Sequence, residues 1–157
     1  MHTQTATFGG GCFWGVEDAF LAVPGVLETS VGYMGGTKER PTYEDVCSGE
    51  TNHAEVVQVT FDTERVAYKA LLEVFWRVHN PTTPNRQGHD VGTQYRSVIF
   101  THTEEQQMEA EASKYQLDAS ARYTSSIVTQ ILPVSEFYRA EEYHQKYHQK
   151  HGGSCQI

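Results

Sequence analysis

The stretch TQTATFGGGCFWGVEDAF, residues 3–20, packs a strand, a glycine turn and the start of a helix into one short run. TQTATF alternates and reads as a strand ending at Gly9. From Phe13 onward, apolar residues at 13, 16, 20 and 23 repeat at helical spacing until PGV at 24–26 ends the run. Gly9, Gly10 and Gly11 lie between the two elements, followed by Cys12, Phe13 and Trp14. Three glycines strip the turn of side chains and permit positive φ, which leaves the Cys12 thiol approachable. Cys12 falls at or just before the first helical turn, where unpaired backbone N–H groups and the helix dipole favour thiolate over thiol. A cysteine packed as a small hydrophobe is the competing reading. The two adjacent rings weigh against it, because helical spacing buries only one of two neighbouring positions well. Side by side, Phe13 and Trp14 can floor an apolar pocket that takes a small alkyl group.

Working outward, VLETSVGY (26–33) is β-like, and the Gly/Thr/Pro-containing stretch 34–54 reads as one long loop. EVVQVTFD (55–62) alternates as a strand, and RVAYKALLEVFWRVH (65–79) is a strongly amphipathic helix with Asp62 or Thr63 as its expected cap. A second irregular stretch, 80–96, leads to a strand at 97–102. Thr103 and Gln106 form a capping-box pattern ahead of a polar helix running to about Ala121. A strand at 126–132 follows, and Ser135 is expected to cap a helix over 136–150. The order β-α-β-β-α-β-α-β-α predicts an α+β fold. We expect a two-layer sandwich of a mixed or antiparallel sheet with helices: a ferredoxin-like βαββαβ core with additional C-terminal elements.

The chain has 157 residues and 38% hydrophobic content, enough for one well-buried domain. No linker or repeat divides it, so residues 1–157 are expected to form a single domain with a flexible tail from about 150. The formal charge of −8 argues against nucleic acid or anionic lipid as partners, because the phosphate interaction would be repulsive. No run approaches the ~18 apolar residues of a membrane span, and MHTQTATF lacks the features of a secretory signal. These features predict a cytoplasmic protein. An odd count of three cysteines there points to thiol chemistry rather than a disulfide framework.

Five motifs occur in order along nearly the whole chain: GCFWG (11–15), GYMGG (32–36), TYEDVCSGETNHAEVV (42–57), HNPTTPNRQGHDVGTQYRS (79–97) and YHQKY (143–147). Together they resemble the class A methionine sulfoxide reductases, the peptide-methionine (S)-S-oxide reductases. The resemblance implies that Cys12 attacks the sulfoxide sulfur and is left as a sulfenic acid. It implies that Phe13 and Trp14 hold the substrate's S-methyl group, and that Tyr43, Glu55 and Tyr95 supply donors to the sulfoxide oxygen. Glu55 opens an apolar strand, a setting in which desolvation raises a carboxyl pKa and keeps a proton to give. Asp90 matches a supporting, hydrogen-bonding position. Cys155, in the GGSC tail, matches a resolving cysteine whose disulfide with Cys12 is reduced by thioredoxin. No metal or organic cofactor is implied.

Some relatives carry a further tail cysteine, which this chain lacks, so thioredoxin has to reach the first disulfide directly. Cys47 resembles a position often held by cysteine without a catalytic part, and reads as structural or as back-up resolution. His89 stands where the family more usually has Asn, and Asn80 where Asp is common. Two other chemistries compete. His144, His148 and His151, at helical spacing ahead of Cys155, could bind a metal. Cys12 could instead pair with His53 or His79, each beside an Asn, as an acyl-transfer nucleophile.

Overall fold

The computed structural model describes residues 2–151. The order is β1 (Thr3–Gly9), α1 (Phe13–Leu21), β2 (Val26–Met34), α2 (Tyr43–Cys47), β3 (Ala54–Asp62), α3 (Tyr68–Val78), β4 (Arg86–Gln87) and β5 (Asp90–Val91). After a 3-10 turn at Thr93–Tyr95 come β6 (Val98–Thr101), α4 (Glu104–Ala119), β7 (Gln130–Pro133) and β8 (Tyr138–Arg139). A second 3-10 turn (Glu142–His144) and α5 (Tyr147–His151) complete the described chain.

Six strands form one sheet in the order β7-β6-β1-β3-β2-β8, while β4 and β5 make a separate short hairpin. β3 lies between β1 and β2, antiparallel to both, and β6 runs antiparallel to β1 on its other side. With α1 and α3 as crossovers, these four strands are the expected ferredoxin-like βαββαβ core. The additions are β7, parallel to β6 through α4, and β8, antiparallel to β2 at the opposite edge. The sheet is therefore mixed, and the two-layer α+β expectation holds.

Alternation along β3 explains which side the helices cover. Val57, Val59 and Phe61 face the main core with Phe13, Phe20, Leu71, Leu72 and Phe75. Ala54 and Val56 face a smaller cluster with Met34, Val98 and Phe100 on the other side. At the centre of the main core, the Phe8 ring stacks on Phe20 at 4.9 Å and on Phe75 at 5.2 Å between centroids. Such pairs add to the burial of each ring in joining β1, α1 and α3.

Several local expectations give way to tertiary contacts. The loop 34–54 contains α2, closed by a reciprocal capping box between Thr42 and Asp45. α3 begins at Tyr68 behind Ala67, so neither Asp62 nor Thr63 caps it. Of the capping box at Thr103, the Thr103 half forms, but the Gln106 carboxamide accepts from His102 N–H instead. Residues 126–129 stay outside β7.

The largest correction concerns the expected helix at 136–150. There the chain hydrogen-bonds to the open edge of β2: Tyr138 and Arg139 pair with it as β8, and Ala140 N–H donates to the Val31 carbonyl. The Gln145 side chain continues the match, accepting from Val31 N–H at 2.8 Å and donating to the Val31 carbonyl at 2.9 Å. An exposed helix would have left that strand edge unpaired.

The ring stack predicts a steep dependence of stability on Phe8. Phe8→Ala is expected to lower the unfolding free energy by ~3–5 kcal/mol. Met108→Ala, at a side chain 70% exposed on α4, should move it by less than ~0.5 kcal/mol. Urea unfolding of the two variants measures the contrast.

Candidate active site

The turn between β1 and α1 is built as the glycines require. Gly11 sits at φ +93°, a left-handed conformation that disfavours any side chain. A Cβ on Gly10 would fall 2.9 Å from the His79 ring, which packs directly beneath the turn. His79 is fixed there by its Nδ1 against the Phe75 carbonyl and its Nε2 against Ser97 Oγ. Cys12 follows as the N-cap residue of α1, partly exposed and without a side-chain cap bond.

Glu55 closes the turn from the other side. It lies at the start of β3 on the helix-covered face, only 2% exposed, and its Oε1 accepts from Phe13 N–H at 3.3 Å. One of the unpaired N–H groups of the helix start is thereby met by a buried carboxyl. Three phenols surround that carboxyl. Burial first, then a carboxylate neighbour, raises each of Tyr33, Tyr43 and Tyr95 above the ordinary tyrosine range. For Tyr43 and Tyr95 that neighbour is Glu55; for Tyr33 it is Glu141 ahead of Glu55. All three stay protonated at neutral pH and so remain donors.

The sequence-predicted residues come together as follows. Cys12, Phe13 and Trp14 open α1, Tyr43 opens α2, Glu55 begins β3, and Tyr95 ends the 3-10 turn before β6. Asp90, in β5, acts electrostatically on Tyr95, as does Cys12. His89 is exposed at the β4–β5 turn. Of the two rings, Phe13 is buried against Tyr33 and Tyr43, and Trp14 is half-buried. Cys155 lies outside the described residues.

Cys47 stands nearer the cluster than its sequence reading implied. Its thiol is exposed at the surface, and partial burial pushes it above the ordinary thiol range, with the Tyr43 side chain opposing the shift. Sequence reasoning missed Tyr33 and Glu141, and weighed His144 only as a metal ligand. Tyr33 lies opposite Glu55 in the β2–β3 register and donates to Glu141 at 3.1 Å. Glu141 also accepts from Tyr43 N–H. His144 accepts from the Trp14 indole. The quoted motifs GYMGG and YHQKY contained two of these residues, but only the strand pairing shows what they meet.

The geometry bears on both rival chemistries. His144 precedes α5 and turns onto Trp14, accepting from its indole. Among the described residues no three His, Cys, Asp or Glu side chains form a group able to hold a metal ion. Both ring nitrogens of His53 are used on backbone, Gly36 N–H and the Lys38 carbonyl. With His79 held by Phe75 and Ser97, neither imidazole is placed to take a proton from Cys12.

Fold and site together set a cysteine at a helix start beside a buried carboxyl and protonated phenols. The family model for peptide methionine sulfoxide reductase matches residues 4–157. MsrA of Methanoculleus marisnigri is 64% identical over 150 residues, spanning 96% of this chain and 92% of that one. MsrA of Geobacter sulfurreducens is 58% identical over 153 residues, 97% and 94% of the two chains. Among solved structures, reduced Mxr1 of Saccharomyces cerevisiae superposes with a TM-score of 0.91 at 36% identity, covering 98% of this chain and 88% of that one. Methionine sulfoxide reductase A of Corynebacterium diphtheriae gives 0.87 at 39% identity, covering 98% and 77%. The chain belongs to the peptide methionine sulfoxide reductase family.

His79 supplies a pH-dependent test of the scaffold beneath Cys12. Burial lowers its pKa from 6.5 to about 4, the Phe75 carbonyl opposing the shift. The neutral ring is favoured in the fold, so its contribution is complete above pH 6.5 and is lost as pH falls toward 4. Stability is expected to drop by about 3 kcal/mol across that window from this residue. Urea midpoints followed with pH should fall more gently in His79→Gln.

Proposed function

We propose that this protein reduces the S-epimer of methionine sulfoxide, free or in peptides and proteins, to methionine. The observation that carries the reading is the meeting of a helix-start cysteine with a buried carboxyl ringed by protonated phenols. A sulfoxide asks for that pairing, a nucleophile for its sulfur and proton donors for its poorly leaving oxygen.

In the proposed cycle the Cys12 thiolate attacks the sulfoxide sulfur while Glu55, in its acid form, gives its proton to the oxygen. Tyr43 and Tyr95 donate hydrogen bonds to the same oxygen, and Asp90 supports Tyr95. The oxygen passes to Cys12 as a sulfenic acid and methionine leaves: the substrate sulfur gains two electrons and the cysteine sulfur loses them. Phe13 and Trp14 give the S-methyl group an apolar seat. The Cys155 thiol then attacks the sulfenic sulfur, expelling water and forming the Cys12–Cys155 disulfide.

Thioredoxin is the proposed reductant of that disulfide by thiol exchange. Yeast Mxr1 has been crystallised in complex with Trx2. The electrons come from thiols throughout, so the cycle calls on no metal or organic cofactor. We read residues 1–157 as one reductase domain, with a tail from about 150 that brings Cys155 to the site. The odd cysteine count suits a reducing cytoplasm. No helix among the described residues is long and apolar enough to cross a membrane.

A single-turnover experiment tests the reading: reduced protein is mixed with excess methionine S-sulfoxide without reductant, and methionine and thiols are counted. About one methionine per chain and a Cys12–Cys155 disulfide are expected; Cys12→Ser should form no methionine. Cys155→Ser should form methionine and leave Cys12 as sulfenic acid. Absence of methionine from the unmodified protein would overturn the reading. Glu55→Gln is expected to slow methionine formation by about 10²–10⁴-fold. The rate of Cys12 alkylation by iodoacetamide should change far less, separating loss of the acid from loss of the nucleophile.

A further inference from the structure

The YHQKY motif at 143–147 has no part in the cycle above, yet His144 lies in the middle of the rings. It is 1% exposed, and its ring centroid is 4.1 Å from Tyr143, 4.5 Å from Tyr43, 5.2 Å from Phe13 and 5.5 Å from Trp14. The Trp14 indole N–H donates to His144 Nδ1 at 3.0 Å. An indole nitrogen can only donate, so Nδ1 must present a lone pair and the neutral ring carries its proton on Nε2. Among the described residues Nε2 has no hydrogen-bond partner, and it stands among aromatic rings. Tyr147 stacks on Trp14 at 3.8 Å and 8°. The motif is anchored by Gln145 on β2 and by Lys146 N–H, which donates to the buried Glu17 carboxylate at 2.7 Å.

We propose that His144 is a positioning residue for sulfoxide reduction: its neutral, Nε2-protonated ring fixes the indole of Trp14 relative to Phe13 and Tyr43, and so sets the seat of the substrate methyl group. The proposal rests on the reductase reading above. Trp14 is half-buried and has no other described hydrogen bond for its N–H, so the acceptor on His144 decides its rotation. Protonation of His144 removes that acceptor and frees the indole.

The groups facing the imidazole are few. α1 presents Phe13 and Trp14, which do not titrate; α2 presents Tyr43, and its own turn presents Tyr143, both as phenols. The Glu141 carboxylate attracts a proton to the ring, while burial, the larger effect, holds its pKa below 6.5. The neutral form therefore prevails at neutral pH, and the acceptor is lost on acidification.

The test combines kinetics with the indole N–H resonances. The chain has two tryptophans, and the Trp76 indole donates to Ser113, so its cross-peak reports the integrity of the fold independently. In the unmodified protein the Trp14 cross-peak should shift as pH falls below 6.5, together with a rise in KM for methionine sulfoxide. His144→Phe keeps a ring but no acceptor. It is expected to raise KM about fivefold to tenfold with kcat within about twofold, and to hold the Trp14 peak at its unbonded position at every pH. His144→Asn offers an Oδ1 acceptor near the same point; it should restore KM to within about twofold and abolish the acid-side rise. An unchanged KM in His144→Phe, with a working unmodified enzyme, overturns the positioning role alone. So does a His144→Asn that recovers the Trp14 peak but not KM. An unmodified protein that forms no methionine overturns the reductase reading and this role with it.

Discussion

The contact on which this architecture turns is the Glu55 carboxyl accepting from the first N–H of α1. It joins the start of the central strand to the start of the helix that carries Cys12, Phe13 and Trp14. A carboxyl is a favourable neighbour for a helix N-terminus, because the peptide dipoles concentrate positive charge there. The bond offsets part of the cost of burying it, since a carboxyl with no donor would be costly to desolvate. Every other part of the site is arranged around this pair. β2 sets Tyr33 opposite Glu55, α2 delivers Tyr43, and the turn before β6 delivers Tyr95.

That arrangement also explains why the loop regions are as ordered as they are. α2 owes its short life to a capping box between Thr42 and Asp45, which sets the Tyr43 backbone where Glu141 can accept from it. Beneath the glycine turn, His79 reaches from the end of α3 to Ser97 at the start of β6, so α3, β6 and the β1–α1 turn share one small ring. The smallest residue at Gly10 and a bulky one at position 79 are a matched pair. Enlarging the first means moving the second.

The core was legible wherever one element buries one face. The alternation in β3 and the amphipathic run in α3 place their side chains without help from the rest of the chain. Cys12 and its rings were legible for a related reason: a glycine turn, a helix start and two aromatics are all local signals. Residues 136–150 were not, because their helix-forming composition is outweighed by an unpaired strand edge more than a hundred positions earlier in the chain. Distance likewise hid His144, whose partner Trp14 lies 130 positions away, while Tyr33 was hidden because strand register alone sets its neighbour Glu55. Periodicity reports what a segment prefers alone; it is silent about which open edge or indole N–H will claim it.

The docking of β8 and the YHQKY turn onto β2 and α1 has a consequence for how the protein comes to life in the cell. The first half of the sheet can pair as soon as β3 has been made, and the Glu55–Phe13 contact with it. Trp14 acquires its imidazole and phenol neighbours only when residues 143–147 have been synthesised and have found their place. A nascent chain that has not yet made residues 143–147 thus carries the thiol without the finished cradle beside it.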